Sequence, residues 1–311
     1  MGVLVEKIYY PSLNGEDTVA ALAYLPEGEP RAMVQLCHGM CEHKERYDSF
    51  ARYLASHGFA VCINDHLGHG ETARSEKYLG YFAKSEGYRF LVGDLYALTK
   101  LMKKRYPGLP YFLLGHSMGS FISRIYLAEH GRELTGAVIM GTAGKNPAIK
   151  LAFAAAKIER KRMGEFGRSN PINNVAFGMY NKRCTPHRTE YDWLSRDESM
   201  VDAFVADPKC GFLFTVSGYE DLFHLLETCS DSRCIESTPK DLPVLLTAGE
   251  EDPVGSYGKG VQEVYRRMRE AGMRSVDLKL YPGCRHELLN ETNRDQIYAD
   301  LLSWLESKLT N

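Results

Sequence analysis

Ser117 lies at the centre of a short motif framed by glycines, GHSMG at residues 115–119. The apolar run YFLLG leads directly into this motif, and residues 118–130 follow it with a helical pattern. A G-x-S-x-G sequence between a strand and a helix is typical of a sharp turn that lifts the serine hydroxyl to the end of a sheet. The motif alone is weak evidence, but the flanking strand and helix predict that Ser117 is a nucleophile.

A serine hydroxyl needs a base that accepts its proton, and the chain contains ten histidines. His286 follows the last predicted strand, VDLKLY, so its loop should end at the sheet edge that carries Ser117. His116 is adjacent to the serine, where successive side chains diverge at a sharp turn. Other candidates lie in two earlier loops: His38, His43, His66 and His69. We predict His286 as the base, because the chain order serine, acid, histidine is the order used by this kind of site.

The acid that orients the histidine should come from the loop after the predicted strand PVLLTAG. This loop offers Glu250, Glu251 and Asp252. Asp252 precedes Pro253, which gives a rigid exit from the turn. We therefore predict Asp252 as the acid, with Glu251 as the alternative.

An ester or amide substrate would develop an oxyanion, which two backbone N–H groups can stabilise. One donor should be Met118, directly after the nucleophile. The other should be Met40, in the loop that follows the third predicted strand. Cys41 is adjacent to this loop but has no base paired with it in sequence, so we interpret it as a bystander.

The elements that must position these residues follow an alternating pattern of strands and helices. Two β-rich runs flank the turn at Asn14-Gly15, which predicts an initial antiparallel hairpin. Six further apolar runs alternate with helical patterns, which is typical of a mainly parallel sheet covered on both faces. The pattern predicts an α/β fold with an eight-stranded, mostly parallel sheet flanked by helices.

The alternation is interrupted between residues 145 and 235, where the pattern is mostly helical. An insertion after the sixth strand would lie at the carboxyl edge of the sheet, where open α/β sheets bind their ligands. We predict a core from residues 1–144, a helical cap from 145–235 and a second core part from 236–311. A helical subdomain without a role at the site is the alternative.

Composition excludes several other classes of function. The formal net charge is -2, which gives no electrostatic indication of nucleic-acid binding. The eight cysteines have no spacing typical of a metal site, so we expect neither a metal nor a cofactor. Free thiols and the lack of a signal-peptide pattern predict a cytoplasmic location. The sequence does not indicate an oligomeric state.

Five motifs together resemble the monoacylglycerol lipases and lysophospholipases of the serine-aminopeptidase-like branch of α/β-hydrolases. They are HGMCEHKERY, NDHLGHGET, LLGHSMGS, AGEEDPVG and PGCRHE, spread from residue 38 to residue 287. As a set they are specific for the branch but not for a substrate. The resemblance implies an α/β-hydrolase fold with a lid over a lipophilic acyl channel.

The resemblance also implies contacts with the substrate. Glu42 and Arg46 match family positions associated with the alcohol end of the substrate, although an ion pair that braces the loop is an equal alternative. The cap supplies aromatic residues as candidate acyl contacts, although a buried helical core would use the same types: Phe212, Phe214, Tyr219 and Phe223. Independently of the resemblance, the apolar run LAFAAAKI at residues 151–158 could bring the cap into transient contact with a membrane surface, and a packed cap helix is an equal alternative.

These observations predict a serine hydrolase that cleaves a carboxylic ester, a monoacylglycerol or lysophospholipid, through an acyl-enzyme intermediate. A peptidase or amidase with the same three residues is the first alternative. A ligand-binding protein that has the fold but no turnover is the second, since a fold does not by itself establish a function.

Overall fold

Eight strands form a single sheet in the computed structural model, which describes residues 2–309. The strands are β1 Leu4–Pro11, β2 Thr18–Leu25, β3 Ala32–Cys37, β4 Phe59–Asn64, β5 Tyr111–His116, β6 Gly136–Met140, β7 Val244–Gly249 and β8 Val276–Tyr281. Their order across the sheet is β1-β2-β4-β3-β5-β6-β7-β8. β2 pairs antiparallel with both of its neighbours, and the remaining pairs are parallel. The predicted eight-stranded, mostly parallel sheet is therefore confirmed.

The central strands are buried along their whole length and mainly apolar, because helices cover both faces of the sheet. Every residue of β3, β4, β5 and β7 is buried. The edge strand β8 is instead buried only at its two end residues, and its four middle residues are partly or fully exposed. Continuous apolar runs thus mark the centre of the sheet, and the central strands end beside one another at the edge where the candidate site lies.

Five helices flank the sheet. They are α1 Asp48–Ser56, α2 Gly87–Arg105, α3 Met118–His130, α9 Lys259–Glu270 and α10 Arg294–Ser307. α1 and α10 contribute Phe50, Leu54, Ile297 and Leu301 to one apolar cluster. α2, α3 and α9 contribute to clusters with the sheet residues that face the opposite side. This two-sided arrangement fixes the ends of β5, β7 and β8, after which the predicted catalytic residues follow.

Five further helices lie between β6 and β7, where the alternating pattern is interrupted. They are α4 Ile149–Met163, α5 Asn170–Phe177, α6 Glu198–Ala206, α7 Val216–Cys229 and α8 Ser232–Ser237. We call residues 145–235 the helical insertion, which contains these helices except for the last two residues of α8. α7 begins where the Thr215 side chain accepts a hydrogen bond from Gly218 N–H, and it packs on α3 with its buried face.

The predicted division into residues 1–144, 145–235 and 236–311 stays a prediction, and Met1, Thr310 and Asn311 lie outside the described residues. Between residues 2 and 309, no helix has the combination of length and apolar character that a bilayer-spanning helix needs.

Candidate active site

Ser117 occupies the turn between β5 and α3 in a rare backbone conformation, with φ of 53° and ψ of −122°. A positive φ is unfavourable for a residue with a Cβ atom, so surrounding contacts must hold it in place. Ser117 N–H donates to the Met140 carbonyl at 3.0 Å. The Ser120 hydroxyl donates to the Ser117 carbonyl at 2.5 Å. The turn is thus fixed from both sides, as expected for a nucleophile at a strand–helix junction.

Gly119 allows the first turn of α3 to approach the end of β3. A Cβ atom at this position would lie 2.0 Å from the Cys37 carbonyl oxygen and 2.5 Å from that of His38. No side chain fits at such distances, so glycine is required for this packing. The close approach brings the loop after β3, which contains Met40, next to Ser117.

His286 and Asp252 form a buried hydrogen-bonded pair. His286 Nδ1 lies 2.9 Å from Asp252 Oδ1, and both side chains are almost completely buried. Asp252 Oδ1 also accepts the N–H of Val254 at 2.9 Å, which fixes the carboxylate. This pairing leaves His286 Nε2 as the ring nitrogen that can accept a proton from a nucleophile.

The alternative acids do not take part in this pair. Glu250 and Glu251 are both exposed, whereas Asp252 is fully buried. The loop after β7 therefore directs one of its three carboxylates toward the histidine. The geometry favours Asp252, the residue selected from its place before Pro253.

Ser117 and His286 line the same cavity. No hydrogen bond joins the Ser117 hydroxyl to the His286 ring in the part of the chain that the structure describes. Without a substrate, catalytic hydrogen bonds are often long and shorten only in the complex. The His286 ring packs against Trp193 at 5.1 Å and His116 at 4.7 Å between ring centroids, which restricts the orientation of the ring.

The cavity has a volume of about 880 Å³ and a mostly apolar lining. Phe212 and Phe223 line it, as predicted for acyl contacts. Phe214 and Tyr219 are fully buried in the apolar cluster behind it and are not part of its lining. For these two aromatic residues the structure favours the alternative of a packed helical core.

The oxyanion donors predicted from sequence are both free. Within residues 2–309, neither the Met40 N–H nor the Met118 N–H has a hydrogen-bond partner. Both residues line the cavity beside Ser117. This arrangement can stabilise negative charge on a substrate oxygen, provided that the two N–H groups converge on it.

Comparison with known proteins assigns the chain to a family. The sequence profile described as "Serine aminopeptidase, S33" matches residues 28–293. The chain belongs to the serine aminopeptidase S33 family. The resemblance inferred from the five motifs is thereby confirmed.

Relatives of this S33-family protein include lipases and esterases. A monoacylglycerol lipase of Mycolicibacterium smegmatis is 29% identical over 295 residues, which cover 92% of each chain. A monoglyceride lipase of Homo sapiens is 28% identical over 91% of this chain and 85% of its own. A thermostable carboxyl esterase from Bacillus coagulans, whose structure in complex with glycerol is solved, has 32% sequence identity with this chain. The structural match covers 99% of this chain and 100% of the esterase chain, with a TM-score of 0.91. The α/β-hydrolase fold is confirmed.

Glu42 and Arg46 of the S33-family protein belong to a buried ion cluster near the triad candidates. Arg46 Nη1 lies 2.6 Å from Glu42 Oε2, and Arg46 also binds both carboxylate oxygens of Glu287 at 2.6 Å. Burial raises the pKa of Glu287, but the Arg46 charge outweighs this effect and lowers it below its usual range. Glu42 lines the cavity and Arg46 does not. This geometry favours the alternative of an ion pair that braces the loop.

The sequence did not assign a role to Glu287 or Trp193. Glu287 follows His286 directly within the motif PGCRHE, and this adjacency is the sequence feature that could have indicated a role for Glu287 at the site. Trp193 and Leu194 are in the helical insertion, and their carbonyl groups accept the N–H groups of His286 at 3.4 Å and Glu287 at 2.7 Å. The insertion thus supports the loop that carries the candidate base.

His116 is occupied by contacts other than the nucleophile. Its Nδ1 lies 3.1 Å from the Tyr47 hydroxyl, and its Nε2 lies 3.3 Å from the His286 carbonyl oxygen. Burial lowers the pKa of His116, but the hydrogen bond with Glu42 outweighs burial and raises it. His116 therefore supports the His286 loop and does not replace His286 as base.

One group of side chains with metal-binding chemistry occurs within residues 2–309. The ligand atoms of His43, Asp207 and Cys210 lie within 4.8 Å of one another. However, His43 Nδ1 already lies 2.6 Å from Glu45, and Nε2 lies 2.7 Å from Asp207. Burial opposes a charge on His43, but these two hydrogen bonds outweigh it and raise its pKa. We interpret the group as an imidazolium between two carboxylates, which joins the loop after β3 to the helical insertion.

Proposed function

We propose that this S33-family protein is a serine hydrolase that cleaves carboxylic esters of lipids, and that its substrate is a monoacylglycerol or a lysophospholipid. The observation that carries the proposal is the buried pair of His286 and Asp252, whose histidine lines the same large apolar cavity as the strained Ser117. Those side chains come from three loops at one edge of the sheet. Such a constellation is defined by its geometry and not by its sequence position.

In the proposed mechanism, Ser117 Oγ attacks the ester carbonyl while His286 Nε2 accepts its proton. Asp252 holds the imidazole in the required tautomer and stabilises its charged form. The N–H groups of Met40 and Met118 bind the oxyanion. His286 then donates the proton to the leaving alcohol, which leaves an acyl group on Ser117. A water molecule, activated by His286, releases the fatty acid and restores the serine.

Cavity size and lining support a lipid substrate. A volume of about 880 Å³ is at the upper end of the range for small-molecule sites, which is roughly 300–1,000 Å³. Its apolar lining suits an acyl chain, and we propose Phe212 and Phe223 as two of the contacts. Relatives named as monoacylglycerol and monoglyceride lipases support the same substrate class.

We further propose that the helical insertion acts as a lid over this cavity, and that its exposed apolar residues contact a membrane surface transiently. Leu151 on α4 and Val175 on α5 are 74% and 77% exposed and also line the cavity. A cytoplasmic location remains a prediction, which is supported by eight cysteines that are all free thiols.

Fluorophosphonate labelling tests the proposed nucleophile. Wild-type protein should be labelled and Ser117→Ala should not, while Ser123→Ala, which changes a buried serine on the adjacent helix α3, should retain labelling. A panel of acylglycerols of different chain lengths, compared with aminoacyl amides, then separates an esterase from a peptidase. Faster turnover of the amides would favour the peptidase alternative. A wild-type protein without labelling or turnover would favour the ligand-binding alternative.

A further inference from the structure

Three buried histidines outside the proposed triad, His38, His66 and His69, cluster in the loops after β3 and β4. The ring centroids of His38 and His66 are 4.0 Å apart, and those of His38 and His69 are 5.2 Å apart. Burial lowers the pKa of His66 to about 4 and that of His69 to about 3. These rings are therefore neutral at neutral pH, and each has one donor and one acceptor nitrogen.

The contacts of His69 determine which of its nitrogens is the acceptor. Nδ1 lies 2.9 Å from the Leu67 carbonyl oxygen, which can only accept a hydrogen bond. Nδ1 must therefore carry the proton, and Nε2 is the acceptor. Nε2 accepts the backbone N–H of Cys41 at 3.2 Å. A buried side chain thus holds the peptide that directly follows Met40.

The residues on either side of Met40 are both held by side chains. Gly39 N–H donates to Glu42 Oε1 at 2.5 Å, and Cys41 N–H donates to His69 Nε2. Cys41 has a positive φ of 54°, so its backbone needs such support. Between these two fixed groups, the Met40 N–H has no hydrogen-bond partner in the described part of the chain.

This loop lies directly against the turn of the nucleophile. A Cβ atom on Gly39 would lie only 3.1 Å from the Cβ of Ser117. A small shift of the loop would therefore change the position of the Met40 N–H relative to the reacting carbon. Displacements of about 1 Å at a catalytic group can lower the rate by about a hundredfold.

The geometry points to His69 as a positioning residue of the oxyanion hole. By accepting the Cys41 N–H, its Nε2 fixes the Met40 peptide and leaves the Met40 N–H free for the substrate oxyanion. His69 does not line the cavity, so it acts through the loop and not through the substrate. The inference rests on the proposed serine ester hydrolysis, for which it identifies a residue that supports the transition state.

A simple packing role is the competing explanation, because aromatic rings surround His69. Its centroid lies 5.9 Å from Phe82, 5.3 Å from Phe212 and 5.4 Å from Phe214. Phenylalanine would preserve such packing but has no acceptor. Glutamine would place its side-chain oxygen near the position of Nε2, whereas the shorter asparagine reaches only the position of Nδ1.

The test compares His69→Phe, His69→Gln and His69→Asn with wild type on a short-chain p-nitrophenyl ester. We expect His69→Phe and His69→Asn to lower kcat about tenfold to a hundredfold, because removal of an oxyanion donor costs about 10²–10³. KM should change less than about twofold, since ground-state binding is not affected. His69→Gln should recover most of kcat. His130→Phe, a histidine stacked on Tyr96 at 3.7 Å, is the matched control and should behave like wild type.

A trifluoromethyl ketone with a short acyl chain supplies the second readout, because its serine adduct carries an oxyanion. The affinity of the enzyme for this ketone should fall in parallel with kcat in His69→Phe and His69→Asn, and it should recover in His69→Gln. Wild-type kcat in His69→Phe, or equal losses in all three variants, would overturn the inference. If His69→Phe does not fold, the difference between glutamine and asparagine decides. Failure of the wild type to hydrolyse the ester would instead contradict the proposed function.

Discussion

Ser117 is held in a conformation that its own backbone does not favour, and its closest neighbours provide the contacts that maintain it. Two hydrogen bonds fix its N–H and its carbonyl, and Gly119 lets α3 approach the end of β3. Strain of this kind is common at functional sites, where the surrounding structure compensates for it. The serine hydroxyl is thus presented at the sheet edge before any substrate binds.

Asp252→Asn tests the role of the acid. Asparagine keeps the shape of the side chain but loses the charge that stabilises the protonated His286, and it favours the wrong tautomer. We expect kcat for ester hydrolysis to fall roughly 10³–10⁴-fold, by analogy with the same change in a serine protease. Circular dichroism should show an unchanged fold. Glu251→Gln, at the exposed adjacent position, is the control and should retain wild-type kcat; an equal loss in both variants would argue against Asp252.

Elements with a clear pattern were predictable from the sequence because their signals are local. The β-rich runs around Asn14-Gly15 and the six apolar runs after them predicted all eight strands, and α3 begins and ends where its pattern predicts. Ser117, His286 and Asp252 follow the ends of β5, β8 and β7, so their convergence follows from parallel pairing. The fold was therefore largely contained in the periodicity of the sequence.

Contacts between loops distant in sequence were not predictable. Arg46 and Glu287 are 241 positions apart, and the Cys41 N–H and His69 meet only because β3 and β4 are adjacent. The four aromatic candidates illustrate the same limit, since Phe212 and Phe214 are identical in type. Only the packing of the helical insertion decides that Phe212 lines the cavity and Phe214 does not.

The buried ion cluster joins two loops at the sheet edge, and Arg46→Met tests its contribution to stability. The change leaves the carboxylates of Glu42 and Glu287 buried without their partner, so we expect the free energy of unfolding to fall by about 3–5 kcal/mol. Urea denaturation measures this quantity. Arg52→Met is the control: it removes an exposed ion pair with Asp48 and should change the free energy of unfolding by less than about 1 kcal/mol. If Arg46→Met leaves the free energy of unfolding unchanged but raises KM for glycerol esters, the result would instead favour contact between Arg46 and the substrate alcohol.

Asp221 links the helical insertion to the core and makes this link sensitive to pH. It lies on α7, and its Oδ1 accepts the N–H of Tyr88 at the start of α2 at 3.0 Å. Burial raises its pKa from 3.8 to about 7, although the hydrogen bond from Tyr88 partly opposes this. Since the folded-state pKa is raised, Asp221 contributes its full stabilisation of the folded state below about pH 4, where the carboxyl is protonated in both states. This contribution to the free energy of unfolding decreases above about pH 4 and is lost as pH rises through 7.

Asp221→Asn should remove this pH dependence because the amide resembles the neutral acid. The free energy of unfolding of the variant relative to wild type should rise between pH 4 and 7, by up to about 1.4 kcal/mol per pH unit. Urea denaturation at a series of pH values measures the difference. Asp241→Asn, at an exposed position, should show no such trend. A constant difference across the range would show that the pKa of Asp221 is the same in the folded and the unfolded protein.

At the scale of the whole molecule, the helical insertion carries exposed apolar side chains, of which Leu151 and Val175 also line the cavity. Leu151, Ile158, Val175 and Met179 are each more than 60% exposed. Isolated exposed apolar residues are ordinary, but several on one insertion are the basis of the proposed contact with a membrane surface. α4 also carries a basic sequence, ERKRM, toward its end, which suits an anionic interface.

A Leu151→Glu and Val175→Glu double variant tests contact with a membrane surface. Removing two apolar contacts and adding two negative charges should lower binding to phosphatidylglycerol-containing vesicles at least about tenfold, because one buried leucine or valine contributes roughly 1.5–3 kcal/mol. Flotation assays measure this binding. Hydrolysis of a vesicle-embedded acylglycerol should fall in parallel, whereas hydrolysis of a soluble short-chain ester should persist. Leu4→Glu, an exposed leucine on β1, should bind like wild type. Equal vesicle binding by wild type and the double variant would show that the insertion does not contact the membrane.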